Sequence, residues 1–186
     1  MSKIIVEEVA LPVDSVLKES LERVDYVDAY RIPWPEGVEK DVVALIDGLF
    51  TSAPAWTTAL TEFRNRVVPY FGIKVPESNS QMRAADFDFT PGSKGSFFRV
   101  YEREEDEIVV GDDDRHLNFR ISFMLDREES NSLKQEDAKV WAVVSTAVQF
   151  HNWLGKAYFL PVRPFHRRMV PAMLKSLASK SRVKKA

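Results

Sequence analysis

Residues 139–152, KVWAVVSTAVQFHN, read as a strand and run directly into residues 153–180, WLGKAYFLPVRPFHRRMVPAMLKSLASK. The second stretch has helical apolar spacing, with Phe165, Met169, Val170, Met173, Leu174 and Leu177 on one stripe. A strand that feeds a long amphipathic C-terminal helix needs a sheet to receive it, so further strands are required upstream.

With 186 residues, 45% apolar and 29% charged, the chain suits one domain, expected over 1–180, with 181–186 a frayed basic tail. It contains no apolar run of about 18 residues, and acids stand where a signal peptide would have its apolar core, so the expected location is cytoplasmic. The absence of cysteine excludes disulfides, zinc-thiolate sites and cysteine nucleophiles. Net charge is −2 but uneven: no acid follows Asp137, and the first 138 residues carry 16 bases against 28 acids. Such asymmetry can mark a nucleic-acid or acidic-membrane binder. The stronger reading is structural, because late cations complement the helix macrodipole and a basic helix can lie over an acidic sheet. Neither nucleic acid nor membrane is therefore expected as a partner.

Upstream, 3–11 has strand character and 14–24 reads as a short helix capped by Asp14. The alternation of 25–33 suits a strand covered on both faces, and Pro33 and Pro35 stop it. Residues 39–50 and 53–73 form two expected helices, followed by a polar connection over 74–81. Strands are then expected within 82–89, 96–104, 107–114 and 115–126, joined by breaks short enough for antiparallel hairpins, with a polar loop over 127–137. In the last of these strands Leu117, Phe119, Ile121, Phe123 and Leu125 alternate with polar neighbours, so one face must be buried. The element order predicts an α+β fold, a curved antiparallel sheet wrapped around a long C-terminal helix, with helices on one face. The space between sheet and helix is where a small ligand would bind.

The segments DYVDAYRI, VGDDDRHLNFRIS and HNWLGKAYFLPVRPFH together resemble the DUF2867 family of bacterial domains, from about residue 10 to about residue 178. The element order is also similar to the helix-grip fold of the START and Bet v 1-like superfamily. The first resemblance implies no activity, because that family has none established; its members occur alone or behind a short-chain dehydrogenase-like domain. This chain has no GxGxxG after a strand, so it lacks such a domain. The helix-grip likeness implies a hydrophobic or amphipathic small molecule held between sheet and helix, with catalysis such as cyclisation in some relatives.

No histidine spacing matches a metal motif, no GxSxG and no phosphate loop occur, and neither metal nor cofactor is expected. His151 and Asn152 stand at the strand-to-helix junction, where Asn152 would cap the helix and His151 would satisfy a backbone group, or both would meet a ligand. Gly155 would allow the helix to approach the sheet, and Tyr158 would either pack or point its hydroxyl into a pocket. Pro161 and Pro164 should break or kink the helix. The cluster His166, Arg167 and Arg168 could meet an anionic ligand group or the acidic hairpin of 102–114, and the hairpin is the expected partner. Asp28, Tyr30, Arg64, Arg99, Glu107, His116 and Arg120 would form a polar set if their strands converge, with buried Arg–carboxylate pairs more often structural than catalytic. Ligand-binding candidates are thus Asp28, Tyr30, Arg64, Arg99, His116, Arg120, His151, Asn152, Tyr158 and His166. Three readings follow: a ligand-binding domain, which a homodimer would also suit; a cyclase- or hydrolase-like enzyme with His151 or His116 as base; or an interaction module serving a dehydrogenase-like partner.

Overall fold

The computed structural model describes residues 4–57, 88–95, 98–128 and 139–183. Candidate Arg64, nearly all of the expected 53–73 helix, the 74–81 connection and most of the 82–89 strand and the 127–137 loop lie outside the described residues. Six strands form one sheet: β1 (Glu7–Glu8), β2 (Tyr26–Pro33), β3 (Arg99–Arg103), β4 (Glu107–Asp113), β5 (Leu117–Arg127) and β6 (Val140–Phe150). Their order is β1-β2-β6-β5-β4-β3, and every neighbouring pair is antiparallel. Helix α1 (Val42–Thr51) packs over β5, and the long C-terminal helix α2 (Trp153–Val183) lies over β2 and β6 and against α1. The fold is thus α+β, with an antiparallel sheet packed on a long C-terminal helix. No helix among the described residues is long and apolar enough to cross a membrane.

Register decides which residues share a face. Phe119 pairs with Val148, Phe123 with Val144 and Leu125 with Ala142, so odd positions of β5 and even positions of β6 point the same way. On that side Ile32, Ile108, Phe123, Leu125 and Val144 meet Leu45 and Leu49 of α1 and Val170, Leu174 and Leu177 of α2. Each such fully buried side chain contributes about 1.5–3 kcal/mol. A second cluster forms nearer the start of α2, where Leu117 and Val148 meet Tyr158 and Phe159. The opposite face is not open: Leu17 and Leu21 cover Val109 and Ala147. Hence β6 is buried on both sides along nearly its whole length.

Several expectations are corrected. The first strand is only Glu7–Glu8, and 14–24 holds not an α-helix but a 3-10 turn, Val16–Glu19, capped by Ser15 rather than Asp14. A distant partner pins this turn, because Ser15 donates to Glu107 at 2.6 Å while its oxygen also accepts from Leu17. It covers the face away from α2, so the non-strand elements do not all lie on one side. Helix α2 runs unbroken through Pro161, Pro164 and Pro171. The bonds lost to proline fall on the carbonyls of Ala157, Leu160 and Arg167, where Leu160 and Arg167 are exposed, and the buried inner stripe holds the helix together. Phe165 is not on that stripe and is 40% exposed; His166 takes the inward position instead.

Candidate functional site

Between the two apolar clusters on the α2 side lies a polar layer. Asp28 and Tyr30 occupy alternate positions of β2, with Asp28 directly opposite Thr146 and Tyr30 opposite Val144, so all three side chains project toward α2. His166 comes down from α2 with its Nε2 at 3.3 Å from Asp28 Oδ1, and the Tyr26 hydroxyl donates to Asp28 Oδ2. The layer is closed in: Asp28 is 6% exposed, Thr146 5% and Tyr30 4%. The Thr146 hydroxyl makes no hydrogen bond among the described residues, whereas the Tyr30 phenol has the Arg167 guanidinium within reach. Burial pushes the Tyr30 phenol up, and the Arg167 guanidinium, although close enough to oppose this, does so only in part. Burial and then the bond to Asp28 push the Tyr26 phenol well above its ordinary value. Both phenols are therefore protonated donors at neutral pH.

The expected meeting of His166 and Arg167 with the acidic hairpin is corrected by the same geometry. Arg167 pairs with Glu8 on β1, both oxygens at 2.8 Å, and His166 with Asp28 on β2. Helix α2 crosses the β1–β2 side of the sheet, whereas the hairpin forms the opposite edge.

At the junction of β6 and α2, Asn152 accepts the Gly155 amide at 3.1 Å, which makes it the helix cap. Its amide nitrogen donates to the Arg115 carbonyl at 3.3 Å and lies 3.1 Å from His116 Nδ1. His116 Nδ1 also lies 3.3 Å from the Asn152 oxygen, so the Asn152 side chain can meet either ring tautomer. His151 is exposed on the other side, its Nε2 at 2.9 Å from the Asn118 oxygen, so it meets a side chain rather than a backbone group. Gly155 does bring the helix against the sheet, with space for no Cβ beneath it. Tyr158 is buried in the cluster of Leu117, Val148 and Phe159.

Arg120 and Arg99 lie on the face away from α2 and do not join the polar layer. Arg120, 4% exposed, bonds the Phe119 carbonyl at 2.9 Å, pairs with Asp113 at 2.8 Å and stacks 3.3 Å over the Tyr101 ring. This is the structural pairing of a buried cation. A bulge between Val100 and Glu102 positions Tyr101 there, and burial, then the bond to Asp113, push its phenol up to about 12. Burial alone would raise the Asp113 carboxyl, but the Arg120 guanidinium and the Tyr101 hydroxyl outweigh it and hold it below the usual range. A depressed folded pKa contributes stability above the unfolded value, near 4, and loses it as pH falls through the folded one. The stability gap between wild type and Asp113→Asn, measured by urea unfolding, is expected to be at most about 1 kcal/mol at pH 7 and to close as pH falls through and below the usual carboxylate range.

A cavity of about 390 Å³ lies at the start of α1 against the β3–β4 hairpin, lined by Asp41, Val42, Val43, Arg103, Glu104, Glu105 and Ile108. None of the described candidate residues lines it. Among the described residues no group of three or more His, Asp or Glu side chains is placed to hold a metal ion.

Of the expected candidates, the structure unites Asp28, Tyr30 and His166; it groups His116 with Asn152; and it separates Arg99, Arg120, His151 and Tyr158 from the layer. Two members were not foreseen. Thr146 interrupts the apolar run VVSTAV, and a hydroxyl inside a strand otherwise fit for burial is the signal that marks it. Tyr26 shares the face of Asp28 by simple alternation.

Neither the curated proteins nor the solved structures include a match to this chain. The family model for a protein of unknown function, DUF2867, matches residues 20–173, a span that includes the whole polar layer. The sheet and long C-terminal helix are consistent with a helix-grip arrangement, and the chain belongs to the DUF2867 family.

Proposed function

We propose that this protein binds a small, partly apolar molecule between the sheet and α2, with a polar group of that molecule meeting Asp28, Tyr30, Thr146 and His166. The observation that carries this reading is the buried Thr146 hydroxyl, which makes no hydrogen bond among the described residues, on one face with the Tyr30 phenol and the buried Asp28 carboxylate. Such a hydroxyl costs about 1–3 kcal/mol when nothing satisfies it. A ligand group with its own donor and acceptor would satisfy it and reach the Tyr30 phenol, and the apolar clusters on either side would take up hydrocarbon.

The test separates stability from binding. Native mass spectrometry of protein isolated without added ligand identifies a co-purifying compound, whose affinity is then measured in wild type, Tyr30→Phe and Thr146→Val. Thr146→Val is expected to stabilise the ligand-free protein by about 1 kcal/mol, raising Tm by about 2–4 °C, while weakening binding about tenfold. Full affinity in both variants would remove the basis of the reading.

The pairing of His166 with Asp28 supports a second reading, turnover of the bound molecule with His166 as general base. His151 and His116, the bases expected from sequence, are instead engaged with Asn118 and Asn152. His166→Gln that binds the compound but no longer converts it would support turnover; equal background rates in wild type and variant would leave binding alone.

A further inference from the structure

The outward surface of α2 has no role in the polar layer, and its composition is unusual. At about 100° per residue, Trp153, Ala157, Leu160, Pro161, Pro164 and Phe165 all fall in the half of the helix turned away from His166. Trp153 is 73% exposed, Leu160 72% and Phe165 40%. Large apolar side chains this exposed and this close together mark a surface that meets something other than water. Arg167, Arg168 and Lys175 share that half, Lys156 borders it, and α2 contains no acidic residue. Arg167 is committed to Glu8, but among the described residues no salt bridge engages Lys156, Arg168 or Lys175.

We propose that this face of α2 docks on an anionic lipid surface, with the helix lying in the interface plane. The chemistry is that of an interfacial helix: Trp, Leu and Phe to enter the headgroup boundary and cations beside them to meet lipid phosphate and carboxylate. A second copy of this chain is a poor occupant, because an isologous contact would place the acid-free face against itself. An acidic peptide is less well suited, because peptides recognised through apolar anchors lie in grooves and this surface is the convex outside of a helix. Since no described helix spans a membrane, the contact is peripheral.

The full chain is sedimented with vesicles of pure phosphatidylcholine and of phosphatidylcholine containing about 30% phosphatidylserine, the anionic fraction chosen to give a strong surface potential. Binding is expected to the anionic vesicles only and to weaken as salt rises. The exposed pair Trp153→Gln with Leu160→Gln is expected to lower partitioning at least about tenfold, as is Lys156→Glu with Arg168→Glu. Circular dichroism and melting confirm that these surface variants fold. No binding to anionic vesicles, or binding that both pairs leave intact, overturns the proposal; so does capture of the chain by poly-glutamate but not by the vesicles, which would point to an acidic protein.

Discussion

Gly155→Ala is expected to destabilise the protein by about 3 kcal/mol or more, reversing the usual benefit of about 1 kcal/mol for alanine in a helix. An added Cβ would stand 2.1 Å from the His116 carbonyl oxygen and 2.9 Å from its carbon. Both are backbone atoms, and the oxygen also accepts the His151 amide at 2.9 Å, so it cannot retreat without loosening the end of the β5–β6 ladder. The first turn of α2 would have to lift, which disturbs the Asn152 cap and its bond to His116. Gly48→Ala is the control: the three atoms nearest its Cβ would all belong to the Leu177 side chain, the first at 2.7 Å, and a flexible methyl tip can move aside. Urea unfolding of the two variants checks the contrast, and an undiminished Gly155→Ala would mean that the helix does not rest on the His116 backbone.

The elements that alternate or repeat locally were legible in the sequence. Strands β2, β5 and β6 came within a residue or two of their bounds because apolar and polar positions alternate or run continuously there, and α2 because its stripe spans several turns. What failed depends on distant partners. Residues 14–24 have helical spacing, yet Ser15 and Val16 are held by Glu107, more than 90 positions away, and the segment stops at a 3-10 turn. The three prolines of α2 argue locally for breaks, but burial of Val170, Leu174 and Leu177 outweighs the lost bonds. The polar layer was legible only in part: Asp28 and Tyr30 share a face by alternation, while His166 reaches Asp28 across 138 positions and only the path of α2 decides that it does. The same path sends Arg167 to Glu8 rather than to the acidic hairpin, a choice that charge alone left open.

Glu107→Ala is expected to cost about 3 kcal/mol or more, and to do so without touching the polar layer. The Glu107 side chain is on the face away from α2 and only 3% exposed, and among the described residues no salt bridge reaches it. Its oxygens accept instead from the Ser15 hydroxyl at 2.6 Å, the Val16 amide at 2.9 Å and the Ser122 hydroxyl. A buried carboxylate of this kind is sustained by its donors, and removing it strands them, at about 1–3 kcal/mol for each group left unsatisfied. Glu107→Gln is expected to lose less, since its carbonyl oxygen still accepts and a serine hydroxyl can turn to receive its amide. The damage should be local: the turn at Val16–Glu19 is tied down at Ser15 and Val16, so Leu17 and Leu21 would leave Val109 and Ala147. Hydrogen exchange is therefore expected to rise first over residues 14–24 and β4, while β2, where Asp28 and Tyr30 sit, keeps its protection at low denaturant. Uniform loss of protection in both regions would show that the two faces of the sheet unfold as one unit, and an unchanged free energy of unfolding would deny Glu107 its anchoring role.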